Sequence, residues 1–335
     1  MSEGALPTSS DLVYTLHHEK IWYGRARVRF IEHYDTVGRF GRIQVLAPNL
    51  HKPLATLIFT IPGVPLITAG QEVGATGGWQ ETVDWEHGDY TLRCFYKKLM
   101  QIRSMNKALL HPSANITDVW AGGDITLAYL RNYEDNYIIT VINLRGKPAS
   151  SILSLPVQSM DIKMKDKYTL YDLLSGEIFP VNGSELTSFQ VKLEPYGTRI
   201  LLLYPGTDVT ELDEWYSKIA LEEAETALKQ AKRNGRIVGL EIKELLQQAR
   251  ESYNSGEYRQ AIQLAKQIMR ALRNTENATG GIIGLIILTV SITLYLLLKR
   301  FKVHKRIMPA TLDRLLSSHP NSKCWRYLSF PSDTV

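Results

Sequence analysis

The residues best suited to chemistry stand together at Phe30-Ile31-Glu32-His33-Tyr34-Asp35, at the end of a β-rich run from Arg27 to Ile31. A carboxylate placed where a strand gives way to a loop is where a βα barrel sets its active site, and Asp35 takes that position. Many aspartates at strand ends only cap the strand, so residue type alone leaves both roles open. Cys94 and Cys324 make neither a disulfide framework nor a metal-ligand spacing, and no metal or cofactor is expected. The net charge of +5 is spread along the chain, densest at Lys299, Arg300, Lys302, Lys305 and Arg306. That pattern leaves no footprint for nucleic acid and fits contact with anionic lipid.

Elements that could hold Asp35 surround it. Residues 1–113 mix β-rich and helical stretches. Ala55 to Ile67 is a long apolar run, expected to be strand covered on both faces. Thr91 to Met105 has helical spacing at Leu92, Phe95, Tyr96, Leu99 and Ile102. Strand then helix, twice over, predicts two βα units. Residues 114–206 change character, with strands expected at Ile125–Arg131, Tyr137–Leu144, Tyr168–Leu174 and Thr198–Tyr204, separated by Gly, Asn and Asp turns. They predict an antiparallel β-sandwich or barrel.

Residues 207–279 are expected to be helical. One face carries Leu212, Trp215, Ile219, Ala224, Ala227, Leu228 and Ala231, and Asn234-Gly235 stops the helix. The stretch from Ala249 to Ile268 looks like one tetratricopeptide-type hairpin. One hairpin is too few for an array, so a helical stalk is favoured over a peptide-binding surface. Residues 280–298 read GGIIGLIILTVSITLYLLL without a charge, long enough to span a bilayer as one helix. The basic residues that follow put the tail, 299–335, in the cytoplasm and the preceding domains outside a cell membrane. The first 20 residues lack the apolar core of a secretory signal. Either the terminal helix directs insertion or further residues precede Met1.

Three segments in order, FIEHYDTVGRFGR, LATLIFTIPGVPLITAGQEVG and GDYTLRCFYKKLMQIRSMNKALLHPS, resemble the end of an α-amylase-family catalytic barrel, glycoside hydrolase family 13. The family's seventh strand ends in Phe-x-x-Asn-His-Asp. Its eighth is followed by a Pro-Gly-x-Pro stretch and Gly-Gln-Glu, matched at Pro62-Gly63-Val64-Pro65 and Gly70-Gln71-Glu72. Its last helix carries a run like Leu92 to Tyr96. DITLAYLRNYEDNYIITVINLRG and LEPYGTRILLLYP resemble the family's C-terminal β domain. The likeness covers residues 20–206 and implies the last two βα units of a (β/α) barrel, residues 1–113, followed by the β domain, 114–206.

The resemblance implies an α-glucan or maltodextrin substrate and retaining chemistry, which needs two carboxyl groups roughly 5–5.5 Å apart. Asp35 matches the family's third carboxylate, which stabilises the distorted sugar. The motifs for the nucleophile and the general acid are not found in this chain, so it is expected to be inactive alone, with another chain or further sequence supplying the rest of the barrel. The family's Asn-His reads His33-Tyr34 here; Tyr34 brings a hydroxyl and a stacking ring of different length. Thr68 stands where the family often has Tyr. Arg39 and Arg42 are candidates for sugar hydroxyls or for pairing with acids, pairing being favoured. Trp79 and Trp85, in a Gly-rich loop, either stack on glucose rings or anchor the loop. The alternative function is a non-catalytic, membrane-tethered module binding glycan or protein.

Overall fold

A computed structural model describes residues 8–23, 27–78, 80–123, 125, 127–236 and 238–273. The expected span at 280–298 and the tail at 299–335 lie outside the described residues. Among those described, no helix is long and apolar enough to cross a membrane.

The chain opens with helix α1 (Ser9–Tyr23), which the sequence reading did not single out, and strand β1 (Val28–Arg29). Helices α2 (Tyr34–Phe40), α3 (Ile43–Leu46) and α4 (His51–Thr60) lead to strand β2 (Val64–Pro65). β1 and β2 pair in parallel, Val28 opposite Val64, and helix α5 (Tyr90–Met105) and the short α6 (Lys107–Leu110) follow. Two parallel strands with helical crossovers are thus present, and the sheet they make is not closed into a barrel.

One expectation fails here. The Ala55–Ile67 run is not a single strand: residues up to Thr60 belong to α4, and the strand is confined to Val64–Pro65 inside the Pro-Gly-Val-Pro stretch. Thr56 and Thr60 tolerate the helix because each hydroxyl donates to the carbonyl four residues back, at 3.0 and 2.7 Å. Pro62 then forbids its continuation. The run is also not left bare, since Ala55, Ile58 and Phe59 are buried in a core shared with α5 and the following sheet.

That sheet has six strands in the order β3 (Asn115–Asp118), β5 (Leu127–Tyr133), β6 (Asn136–Ile142), β11 (Thr198–Pro205), β8 (Lys167–Asp172) and β9 (Ile178–Asn182). A second sheet orders β10 (Phe189–Leu193), β7 (Ala149–Ser154) and β4 (Trp120–Gly123). Every pairing in both is antiparallel. Alternation along the strands separates two cores. Ala128, Leu130, Ile139, Val141, Leu201 and Leu203 point between the sheets, making the expected sandwich. Ile138, Tyr171, Ile200 and Leu202 point the other way, against the helices.

The helical region is not a free-standing stalk. α7 (Thr210–Arg233), α8 (Leu240–Asn254) and a helix over residues 258–273, here α9, bury Tyr216, Ala224, Leu228, Leu246 and Ile268 in the same core as Tyr96, Leu99 and Ile200. Residues up to Leu272 form one compact unit.

Candidate functional site

The candidate site lies at the carboxyl end of β1. Backbone pairing continues just past the strands, Val64 N donating to Arg27 O and Leu66 N to Arg29 O, each at 2.7 Å. The chain then turns at Glu32-His33 into α2. His33 N donates to Thr36 Oγ1 at 2.8 Å, half of a capping box, and this fixes where the helix starts. Asp35 therefore falls in the first turn of α2 rather than at a strand end, where its charge also suits the helix dipole. Its side chain is 63% exposed, and His33 Nδ1 lies 3.8 Å from a carboxylate oxygen. Tyr34 beside it is 66% exposed, its ring edge-on to His33. Phe30 packs edge-on against His33 from the strand side.

Arg39 is exposed, its guanidinium over the Phe40 ring, one helical turn from Asp35. Tyr34, Asp35 and Arg39 are thus gathered on one short helix. Trp79 lies outside the described residues. Trp85 is exposed, and its carbonyl accepts from Tyr90 Oη at 2.6 Å.

Arg42 takes the pairing role. It donates to Glu32 Oε1 at 3.0 Å, and both side chains are nearly inaccessible, at 5% and 3%. Glu32 also accepts from Ile43 N at 2.7 Å, while Arg42 donates to Ala69 O and Gly77 O. Thr68 Oγ1 donates to Glu32 O at 2.6 Å. Glu32 is therefore the residue that ties the end of β1 to the loop after β2, and sequence reasoning passed over it. A carboxylate two residues after Phe30, within an otherwise apolar strand end, was the available signal.

That loop walls a polar cavity of about 470 Å³ lined by Arg42, Gln44, Glu81, Asp84, His87 and Asp89 among others. Tyr34, Asp35 and Arg39 are not on its wall. Beneath it, Gln71 Nε2 donates to Tyr96 Oη at 2.7 Å, and Tyr96 Oη lies 2.8 Å from His51 Nε2. His51 Nδ1 is 2.9 Å from Gln44 Oε1. The hydroxyl accepts a hydrogen bond from Gln71 and donates one to Nε2, so His51 is neutral with its proton on Nδ1, from which it donates to Gln44. Burial, assisted by the charge of Lys52, holds the imidazolium pKa down to about 4. Burial also pushes the Tyr96 hydroxyl well above its ordinary range. This chain is a fastener joining α4, α5 and the loop, not an acid–base pair open to substrate. No group of three or more His, Cys, Asp or Glu suited to a metal occurs among the described residues.

On the second sheet, Trp120 sits on the edge strand β4, 64% exposed. Its ring lies over Gly122, where a Cβ would come within 2.4 Å of it. The strands that follow it resemble a known domain. Residues 121–200 match the maltogenic amylase C-terminal domain. The matched residues account for most of both sheets. The chain is also 31% identical over 112 residues to the α-amylase MalA of Haloarcula japonica, covering 32% of this chain and 17% of that protein. Over 179 residues it is 26% identical to an amylopullulanase of Thermoanaerobacter thermohydrosulfuricus, covering 49% of this chain and 11% of that one. The chain thus matches less than a fifth of the length of these two curated relatives. Among solved structures, an α-amylase from Geobacillus thermoleovorans complexed with acarbose covers 59% of this chain and 44% of its own, with 20% identity and a TM-score of 0.48. The maltogenic α-amylase AmyB of Thermotoga neapolitana covers 59% and 46%, with 16% identity and a TM-score of 0.46.

Proposed function

We propose that this chain is the C-terminal part of a membrane-anchored, cell-surface glycoside hydrolase of the α-amylase family, acting on α-glucans. The match of residues 121–200 to the maltogenic amylase C-terminal domain carries the proposal. The preceding parallel pair supports it. Val28, Phe30, Val64 and Leu66 share the face of that pair turned away from the helices, and all four are exposed. Parallel strands are normally covered on both faces, so further βα units would bury this one. Tyr34, Asp35 and Arg39 would then meet the sugar at the rim of the completed site, with Asp35 stabilising the transition state. In this reading the apolar segment at 280–298 tethers the domains from outside the cell.

Residues 1–335 alone should hydrolyse no α-glucan. Retaining chemistry needs two carboxyl groups roughly 5–5.5 Å apart, and the carboxylate near Asp35 in sequence, Glu32, is buried and committed to Arg42. A second function, non-catalytic glycan binding, is favoured by Trp120, whose ring is exposed on the amylase-type β domain.

Affinity electrophoresis in glycogen and pullulan gels, with a reducing-sugar assay on the same protein, separates these roles. The expected result is retardation without sugar release. Trp120→Ala should weaken the retardation several-fold if the β domain binds glycan, and Asp35→Ala should do so if the α2 rim does. Glucose release that disappears in Asp35→Ala would overturn the claim of inactivity. No retardation in either gel would remove glycan binding.

A further inference from the structure

A second cavity, of about 410 Å³, opens at the starts of β1 and β2, between α1 and the β3–β5 edge of the large sheet. Four arginines, Arg27, Arg29, Arg103 and Arg131, line it against a single carboxylate, Glu19, among the described residues. Glu19 is engaged in a bidentate pair with Arg29.

Arg131 is the unusual member. It is only 2% exposed, on β5 at a position facing the helices. Its Nε donates to Asn115 O and its Nη1 to Thr60 O, both at 3.0 Å. Arg103 is also turned inward from α5, Nη1 donating to Phe59 O at 2.7 Å and Nη2 to Gly63 O at 2.5 Å. Carbonyls satisfy these N–H groups, yet they carry only partial charge. Among the described residues neither guanidinium has a carboxylate partner, and the two repel each other. Burial and that repulsion hold Arg131 down to about 10, far from its ordinary range. A buried cation without a counter-charge is costly, and a protein normally pairs it. Two side by side on one cavity wall call for an anion with several acceptor oxygens, which guanidinium forks recognise best.

We propose that this cavity binds a small phosphate-bearing ligand, held by Arg103 and Arg131 with Arg29 at its mouth. His17 and His111 stand on the same wall. His17 Nε2 is engaged with Ile116 O at 3.0 Å, which fixes its ring, and His111 stacks on Tyr133 at 3.8 Å. Leu16, Pro62 and Leu109 supply apolar wall that suits an organic body attached to the phosphate. The site lies at the starts of the strands, whereas Asp35 follows the other end of β1, so it is independent of the glycan reading.

Calorimetric titration of the full chain at constant ionic strength tests it, with inorganic phosphate, glucose 6-phosphate and maltose as probes and chloride as the salt control. Saturable phosphate binding is expected, weakened tenfold or more in Arg103→Met and less in Arg103→Lys. Glucose 6-phosphate binding several-fold tighter than inorganic phosphate would assign the ligand as a phosphomonoester; equal affinity would assign free phosphate. If Arg103→Met fails to fold by circular dichroism, Arg29→Gln, at the half-buried mouth, carries the test with the same direction of change. The proposal is overturned if the wild-type chain shows no saturable binding of either phosphate, or if binding survives unchanged in the folded arginine variants.

Discussion

His51 shows how one buried side chain makes stability depend on pH. Unfolded, it takes up a proton near its ordinary value of 6.5; folded, burial first and Lys52 second hold that value at about 4. The unfolded chain therefore binds the extra proton between these two values, and stability falls as pH drops from 6.5 to 4. Above 6.5 the contribution is fully present, and below 4 the loss is complete. The shift amounts to roughly 3 kcal/mol. In His51→Gln this loss is absent, so the variant should be less stable than wild type at pH 7 and the gap should close by most of that amount at pH 4. Urea unfolding at a series of pH values measures it; a gap that does not change with pH would mean that His51 is not held neutral. The fastener itself was not legible in the sequence, because His51, Gln71 and Tyr96 meet only after three elements pack. Asp35 was legible as a candidate, yet its place inside α2 was not: the hydroxyl of Thr36, which sets the helix start, is an ordinary residue in sequence.

At the scale of elements, α5 and the principal strands of the sandwich follow their sequence patterns, while α4 does not. A run such as Ala55 to Thr60 is uncharged, with Thr56 and Thr60 its only polar residues, so periodicity fails to separate a buried strand from a buried helix. Side chains from Tyr129 and Arg131 decide the matter by meeting Thr60, at 2.6 and 3.0 Å, from a strand about 70 residues away. The strand that follows depends on Gly63. Its φ is +130°, and a Cβ there would lie 2.5 Å from Arg27 O, the acceptor of the first bond between β1 and β2. Gly63→Ala should thus combine backbone strain with loss of the parallel pairing, costing at least the roughly 1–3 kcal/mol of a strained residue. Gly206 offers the comparison, with φ +80° and nothing within 4 Å of a Cβ. Gly206→Ala isolates the strain. Denaturation midpoints should fall further for Gly63→Ala than for Gly206→Ala, and equal falls would show that the close approach to Arg27 is unimportant.

At the scale of the molecule, the helical region decides whether this is a sandwich carrying a stalk or one body. Sequence pattern identified the apolar face of α7 but not what covers it, since any apolar partner satisfies the same periodicity. Asp213 joins the parts. Tyr171 Oη on β8 donates to its Oδ1 at 2.9 Å, and Arg259 Nε on α9 donates to its Oδ2 at 2.5 Å. Arg259 Nη1 continues to Gly176 O, in the turn after β8, at 2.7 Å. Removing one partner of a buried pair costs about 3–5 kcal/mol, and Asp213→Ala belongs near the lower end because 35% of the Arg259 side chain remains in water. Where that loss is felt distinguishes the two architectures. With Ile200, Leu202 and Tyr171 sharing a core with Tyr216 and Ala224, the sheet should loosen when the helices do. Hydrogen exchange followed by mass spectrometry should then show peptides from β8 and β11 accelerating together with those from α7 in Asp213→Ala. Acceleration confined to residues 207–272, with β11 as protected as in wild type, would return the helices to the role of an independent stalk.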